Sequence, residues 1–180
     1  MNIVVNTVRG EQRIRAVGEA ITGPVLLKLI GLRLASFVDE SFRTRGRGRW
    51  RPLAPGTLEL RRHGGDVPLQ DTGRYKMSFV TETDNATYVE VGSNLKVPGG
   101  APLAAIHEFG TAPYVIRVKR AKILAAKFPR RAGFAFFGKE VNHPGIPARL
   151  VLPTVAETIQ LVTTTVEAVV AQAERRFGPG

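Results

Sequence analysis

The fold of this chain is decided by the stretch PVLLKLIGLRLASFVDESFR, residues 24–43. Pro24 stands where helices favour proline, at the first helical position. The apolar side chains that follow recur every three or four residues, so they share one stripe of a helix, and most charged side chains lie off that stripe. The stripe consists of Leu26, Leu29, Ile30, Leu34, Phe37, Val38 and Phe42. The pattern predicts an amphipathic helix over residues 24–43.

A second long amphipathic helix is predicted over residues 153–177, opened by Pro153. The β-branched residues 162–165 are poor helix formers, but the apolar stripe continues through them and outweighs their propensity. This second stripe consists of Val155, Ile159, Val162, Val166, Val169, Val170, Ala173 and Phe177.

The remaining elements are short. Residues 2–8 are predicted to form a short strand or an extended lead. Strands are predicted at residues 78–83, 87–93, 114–118 and 134–141, and shorter helices at 11–21, from Pro55 and at 103–109. The strands at 78–83 and 87–93 form a hairpin, because the Asx residues between them tolerate a tight turn. The predicted fold is therefore α+β, a single domain over residues 1–180 in which two long helices pack on a small antiparallel sheet.

Composition excludes several classes of protein. The chain has 180 residues and no cysteine, which rules out a disulfide framework, a zinc site with thiolate ligands and a cysteine nucleophile. No apolar run reaches 18 residues, so no membrane-spanning segment and no membrane partner are expected. The first residues lack the basic start and apolar length of a secretory signal.

The net charge of +11 is concentrated in two places. Residues 43–62 carry +6 and residues 117–131 carry +7, so the rest of the chain sums to −2. Residues 43–51 alternate arginine with glycine over part of their length, which predicts a flexible loop. The candidate residues for contact with DNA or an acidic partner are Arg43, Arg45, Arg47, Arg49, Arg51, Arg117, Lys119, Arg120, Lys122, Lys127, Arg130 and Arg131. Phosphate contact and contact with an acidic protein both fit this pattern. Trp50 could stack on a base, but a buried anchor in the core is the favoured interpretation.

No catalytic motif is recognisable. His107-Glu108 begins like a zinc-protease helix, but that motif needs a second histidine four residues after the first, where this chain has Thr111. A Gly-x-Ser-x-Gly elbow and a phosphate-binding Walker loop are both absent. We therefore expect His107 to be structural, and we expect the protein to be no enzyme and to need no cofactor or metal.

A series of short motifs follows one order along the chain. It consists of Phe42, Trp50-Arg51-Pro52-Leu53, Thr57, Leu69-Gln70-Asp71-Thr72-Gly73, Ser78, Val91-Gly92-Ser93, Ala105-Ile106-His107-Glu108-Phe109-Gly110 and His143-Pro144-Gly145-Ile146-Pro147-Ala148-Arg149. Several of these motifs indicate fold determinants. Asp71 or Thr72 can cap the turn that follows, Gly73 can relieve backbone strain, and Ile106 and Phe109 can share one buried face.

This order of motifs, over about residues 24–153, resembles the tailed-phage virion morphogenesis and tail-completion proteins. These are the Mu-like morphogenesis family and the related tail-component family. After residues 147–149 that family continues with Pro-Phe, whereas this chain has Leu150-Val151.

The resemblance implies a structural virion protein of the neck, in a tail-completion or head–tail joining ring. It implies a homo-oligomer, expected to be hexameric, between head-connector and tail-terminator or tail-tube proteins. Such a ring assembles in the bacterial cytoplasm and can contact packaged DNA non-specifically. The alternative from a different class is a nucleic-acid-binding protein that uses residues 43–51.

Overall fold

In a computed structural model of the chain, the structure describes Gly18 and residues 23–63, 65–84, 87–119, 121–129 and 132–177. Within these residues the helices are α1 (Pro24–Arg43), α2 (Pro55–Glu59), α3 (Arg74–Met77), α4 (Leu103–Phe109) and α5 (Val155–Phe177). The strands are β1 (Phe79–Thr83), β2 (Val89–Ser93), β3 (Tyr114–Arg117), β4 (Leu124–Lys127), β5 (Phe134–Gly138) and β6 (Glu140–His143). The predicted strand or extended lead at 2–8 lies outside the described residues, and of the predicted helix at 11–21 only Gly18 is described.

The α+β class and both long helices are confirmed. The strands form three two-stranded sheets, in which β1 pairs with β2, β3 with β6, and β4 with β5. The β3–β6 and β4–β5 ladders are antiparallel.

The prediction of one strand over residues 134–141 is wrong in detail. Residues 134–138 pair with β4, whereas residues 140–143 pair with β3, so the run is divided between two sheets. Strand β4 lies inside the basic segment 117–131, where no strand was predicted.

The chain divides into two units. Helix α1 and strands β1 and β2 each contribute residues to both units. The described part of unit one holds residues 23–37, 80–84, 87–91 and 153–177, together with Gly18, and unit two holds residues 38–79 and 92–152.

The buried residues of unit one come from both long helices. They include Ile30, Leu34, Thr165, Val169 and Ala173, each at most 9% exposed.

The predicted stripe of the second long helix is wrong at its beginning. Val155 is 79% exposed and Ile159 is 62% exposed. Helical periodicity shows which side of α5 faces inward, but not where along its axis the inward contacts begin.

The core of unit two is built around Phe42, the last apolar residue of the α1 stripe, which is fully buried. The rings of Trp50, Tyr75 and Phe79 meet it edge to face, with centroid distances of 5.8, 5.7 and 5.8 Å. Burying each such ring contributes roughly 2–3 kcal/mol, and each favourable ring pair adds about 1 kcal/mol. This aromatic cluster fixes the end of α1 against the segments that carry the motifs.

Side chains of the motifs tie distant segments together. The Gln70 amide donates to the carbonyl of Phe42 at 2.7 Å, and the Ser41 hydroxyl donates to the carbonyl of Val151 at 2.9 Å. The Asp71 carboxylate accepts the backbone N–H groups of Arg62 and His63 at 3.0 and 3.1 Å. Asp71 therefore binds the chain after α2, and of the two predicted capping residues it is Thr72 whose hydroxyl accepts an N–H of the following turn, that of Arg74 at 3.4 Å.

Helix α4 is oriented differently from the prediction. Phe109 is 85% exposed, so Ile106 and Phe109 do not form one buried face. The helix turns His107 and Glu108 inward instead, and Glu108 Oε1 accepts the backbone N–H groups of Val151 and Leu152 at 2.7 and 3.1 Å. These two hydrogen bonds join α4 to residues 151 and 152 and hold the Glu108 side of the helix inward.

Candidate functional site

Most of the motifs meet at one cleft in unit two, which we call the arginine cleft. Its volume is about 620 Å³, and it is lined by residues from 51–61, 69–75 and 143–149 together with His107. The segments that carry His107 and residues 143–149 are joined closely, because Thr111 and Ile146 pair as a β-bridge. A side chain at Gly145 would overlap the carbonyl of Thr111, so glycine is required for that approach.

Two buried guanidinium groups line the arginine cleft. Arg61 is 5% exposed and Arg149 is 7% exposed. Arg61 donates to the carbonyl of Val67 at 2.8 Å, and its Nε lies 3.6 Å from Asp71 Oδ1. Among the described residues, the Arg149 side chain makes one hydrogen bond, a long one of 3.5 Å to the carbonyl of Arg51. Arginine is rarely buried without a carboxylate partner, which makes Arg149 the most unusual residue of the cleft.

The backbone of Arg149 is held more firmly than its side chain. Its N–H donates to the carbonyl of His107 at 2.6 Å, so Arg149 stands next to α4. Burial lowers the pKa of the Arg149 guanidinium from its usual value, because desolvation disfavours the charged form.

Beside the two arginines, His107 and Tyr75 also line the cleft, and their ring centroids are 5.1 Å apart. Burial, followed by the positive charge of Arg149, lowers the pKa of His107 to about 4, so the imidazole is neutral at neutral pH. Burial and the nearby Glu108 carboxylate raise the pKa of the Tyr75 hydroxyl. Tyr75 Oη, His107 Nδ1 and Arg149 Nε are buried and have no hydrogen-bond partner among the described residues.

The carboxyl groups near the cleft are affected in opposite directions. Burial raises the pKa of Glu108 and outweighs the two N–H groups it accepts, which lower it. Burial also raises the pKa of Asp71, but the N–H groups of His63 and Arg62 and the charge of Arg61 leave it below its usual value.

The predicted flexible loop is a hydrogen-bonded turn in the structure, and we call residues 44–49 the Arg-Gly turn. Arg45, Gly46, Arg47 and Gly48 have φ angles of 55°, 67°, 58° and 78°, which are four consecutive left-handed conformations. The N–H of Gly46 donates to the carbonyl of Ser41 at 2.6 Å, so the turn caps the end of α1.

Most arginines of residues 43–51 engage protein groups. Arg43 pairs with the Glu40 carboxylate, and Arg45 Nη2 donates to both oxygens of Asp66 at 2.9 and 3.0 Å. Arg47 donates to the Ser41 hydroxyl, and Arg49 Nε donates to the carbonyl of Gly46 at 3.2 Å. The remaining member, Arg51, is exposed at the rim of the arginine cleft.

Trp50 is a core residue. It is 6% exposed, and its indole N–H donates to the carbonyl of Leu150 at 3.0 Å. The interpretation of Trp50 as a buried anchor is confirmed, and its ring is not available to stack on a base.

The basic segment 117–131 has a different arrangement. Arg117, Lys119, Lys122 and Lys127 are exposed, and Arg120, Arg130 and Arg131 lie outside the described residues. Arg117 lies opposite Glu140 in the β3–β6 ladder, and its Nε is 3.2 Å from Glu140 Oε2. Of the described candidate residues in this segment, Arg117 is therefore paired with a carboxylate and the three lysines are exposed.

The β4–β5 hairpin presents apolar rings beside this basic segment. Ala125 lies opposite Phe136 and Lys127 opposite Phe134, so these four residues share one side of the ladder, which we call the phenylalanine face. Phe134 and Phe136 are 55% and 66% exposed, and their rings stack at 6.2 Å.

Sequence reasoning did not identify Arg61, Arg149 and Tyr75 as a group. The sequence around Arg149 does indicate burial, because Arg149 is the one charged residue in an otherwise apolar run, residues 146–151. An arginine inside an apolar run is more often buried than one in a basic stretch.

Among the described residues, no helix is long and apolar enough to span a membrane, and no three His, Cys, Asp or Glu side chains are grouped to hold a metal ion. No protein-family model, curated protein or solved structure matches this chain.

Proposed function

We propose that the protein is a non-enzymatic structural component of a tailed-phage virion. It forms a homomeric ring, expected to be hexameric, in the neck, where it completes the tail or joins it to the head. Its neighbours are the head-connector and tail-terminator or tail-tube proteins, and the ring assembles in the cytoplasm of the bacterial host. The order of motifs over residues 24–153 supports this proposal through its resemblance to tail-completion proteins.

The observation that carries the proposal is the phenylalanine face. Two stacked phenylalanine rings on a short two-stranded ladder are costly to leave in water, and large exposed apolar patches on soluble proteins mark interaction surfaces. In a ring, each subunit meets its neighbours through two different surfaces, so a projecting hairpin on one subunit can bind a separate surface on the next.

The basic segment 117–131 places positive charge beside the phenylalanine face. Lys119, Lys122 and Lys127 are exposed on or near the hairpin that carries Phe134 and Phe136. In the proposed ring these lysines face a neighbouring subunit, an acidic tail protein or the DNA that passes through the pore.

Light scattering and electron microscopy of the purified protein test the proposal. Wild-type protein is expected to form closed rings with a pore that admits duplex DNA, in a concentration-dependent manner. A Phe134→Ser/Phe136→Ser variant is expected to remain monomeric while its circular dichroism spectrum is unchanged, because these rings are exposed in the monomer.

Tyr88→Ser serves as the matched control, because it removes an exposed aromatic ring from the β1–β2 turn of unit one. It is expected to form rings like the wild type. The proposal is contradicted if the wild type stays monomeric at every concentration and the double variant is indistinguishable from it.

A further inference from the structure

We propose that the arginine cleft binds an organic carboxylate, meaning a singly charged carboxyl group carried on an apolar or peptide skeleton. The side chain of Arg149 is the principal partner of that carboxyl group, and Arg61 is the second. This inference does not depend on the ring-forming role.

The first argument is the balance of buried charge. Arg61 and Arg149 line the cleft with one carboxylate, Asp71, which lies 3.6 Å from Arg61 and also accepts two backbone N–H groups. Glu108 does not line the cleft, and its Oε1 is occupied by the N–H groups of Val151 and Leu152. Among the described residues Arg149 forms no ion pair with a carboxylate, so a carboxyl group bound in the cleft can be its partner.

The second argument is the supply of hydrogen-bond donors. Arg149 uses its guanidinium for one bond of 3.5 Å, and Arg149 Nε and Tyr75 Oη have no partner among the described residues. A guanidinium presents its donors in a planar fork that matches the two oxygens of a carboxylate. The cleft therefore holds a buried donor set whose geometry suits a carboxyl group.

The third argument is the apolar remainder of the lining. Apolar side chains of the lining include Pro52, Leu53, Leu60, Ile146 and Pro147. A cleft of about 620 Å³ with an apolar wall and a few buried polar groups has the size and character of a site for an organic ligand. An inorganic anion would leave that apolar wall in contact with water.

The experiment uses the full-length protein labelled with ¹⁵N and follows the Arg Nε–H signals and the melting temperature. The probes are acetyl-Leu-Glu-Leu-amide, its neutral counterpart acetyl-Leu-Gln-Leu-amide, free 4-methylpentanoate and inorganic phosphate, at constant ionic strength set with sodium chloride. The glutamate peptide is expected to shift the Arg149 Nε–H signal saturably and to raise the melting temperature. The glutamine peptide and phosphate are expected to do neither.

The free acid and the peptide distinguish the source of the carboxyl group. Binding of both indicates a site for a small organic acid, and binding of the peptide alone indicates a segment of a polypeptide. Either result supports carboxylate binding.

The test variant is Arg149→Met, which keeps the length of the side chain and removes its charge. It is expected to weaken binding of the glutamate peptide about tenfold or more, because a hydrogen-bonded charge is lost. Arg117→Met, an exposed arginine outside the cleft, is the matched control and is expected to keep wild-type affinity.

Removing an incompletely paired buried charge is also expected to raise the melting temperature of the free Arg149→Met protein. If that variant does not fold, the Arg149 Nε–H signal of the wild type still decides the question. The proposal is overturned if the glutamine peptide binds as tightly as the glutamate peptide, if phosphate alone shifts the signal, if no probe binds saturably, or if folded Arg149→Met binds like the wild type.

Discussion

Gly46 shows how a single residue holds the end of helix α1. A Cβ atom at this position would overlap the indole ring of the buried Trp50, and the backbone φ of 67° is itself unfavourable for other residues. We expect Gly46→Ala to lower the free energy of unfolding by about 2–4 kcal/mol, from overpacking together with backbone strain. Urea unfolding measures this loss.

Gly48→Ala is the matched control for that experiment. Gly48 has a φ of 78°, but a Cβ there meets no atom within 4 Å. Only the backbone penalty applies, so we expect a loss of about 1 kcal/mol. Equal losses in the two variants would show that Trp50 does not pack on Gly46.

His107 gives the stability of the protein a defined pH dependence. Its pKa is about 4 in the folded protein and about 6.5 in an unfolded chain. Between these values the unfolded chain binds a proton that the folded protein does not, so the free energy of unfolding falls as the pH falls from about 7 to about 4. We expect a loss of about 1–2 kcal/mol by urea unfolding, because partial exposure of His107 reduces the full linkage effect.

His107→Phe isolates this contribution, because it keeps a ring against Tyr75 and removes the titrating nitrogen. Over the same pH range, we expect the free energy of unfolding of this variant to fall by about 1–2 kcal/mol less than that of the wild type. The raised pKa of Glu108 has the opposite effect, because its contribution to stability is lost as the pH rises. Both proteins retain Glu108, so this contribution cancels when they are compared. An unchanged profile in His107→Phe would rule out the buried-histidine mechanism.

Among the elements, helix α5 begins with a reciprocal cap. The Glu157 carboxylate accepts the N–H of Thr154 at 2.8 Å, and the N–H of Glu157 donates to the Thr154 hydroxyl at 3.3 Å. We expect Thr154→Ala to cost about 1 kcal/mol of stability, because its hydroxyl accepts the N–H of Glu157 and donates to the Glu157 carboxylate at 2.9 Å, and both bonds are lost. Thr158→Ala is the control: the Thr158 hydroxyl donates to the carbonyl of Thr154, which also accepts the backbone N–H of Thr158, so its removal should be nearly neutral.

The long elements could be predicted from the sequence, and their surroundings could not. Helix α1 forms over the residues predicted for it, because a stripe of period 3.6 is a local property. The exposure of Val155, Ile159 and Phe109 was not predictable, because burial of a side chain depends on which distant segments pack against it. The division of residues 134–141 into β5 and β6 likewise depends on two different partner strands.

The arginine cleft was beyond prediction for the same reason. Its motifs are recognisable as a series, but nothing local shows that residues 51–61, 69–75 and 143–149 surround one space. Asp71 and Glu108 look like local features of a turn and a helix in the sequence, whereas both accept N–H groups from other segments. Long-range hydrogen bonds of this kind leave no periodic trace in the sequence.

For the whole molecule, the net charge of +11 is distributed less simply than its sequence suggests. Arg43 and Arg45 are paired with Glu40 and Asp66, whereas Lys122 and Lys127 of the basic segment are exposed. A cation already paired with a carboxylate contributes less to phosphate binding. We therefore expect any salt-dependent binding of duplex DNA to depend on the basic segment more than on residues 43–51.

Two triple variants test this expectation by the slope of log K against log salt concentration. Lys119→Gln/Lys122→Gln/Lys127→Gln should reduce the slope by about 0.9 for each phosphate that the protein no longer neutralises, and Arg43→Gln/Arg45→Gln/Arg49→Gln should reduce it less. The reverse order would favour the nucleic-acid-binding alternative through residues 43–51. No binding at low salt would remove that alternative.

The Arg-Gly turn has one further consequence, for proteolysis. Trypsin cleaves after arginine but needs its substrate as an extended strand. Residues 45–48 are left-handed, and the N–H groups of Gly46, Arg47 and Gly48 donate to Ser41 and Thr44. We therefore expect trypsin not to cleave the Arg-Gly turn in the native protein, and to cleave it only after local unfolding. Its cleavage rate then becomes a direct measure of how often the end of α1 opens.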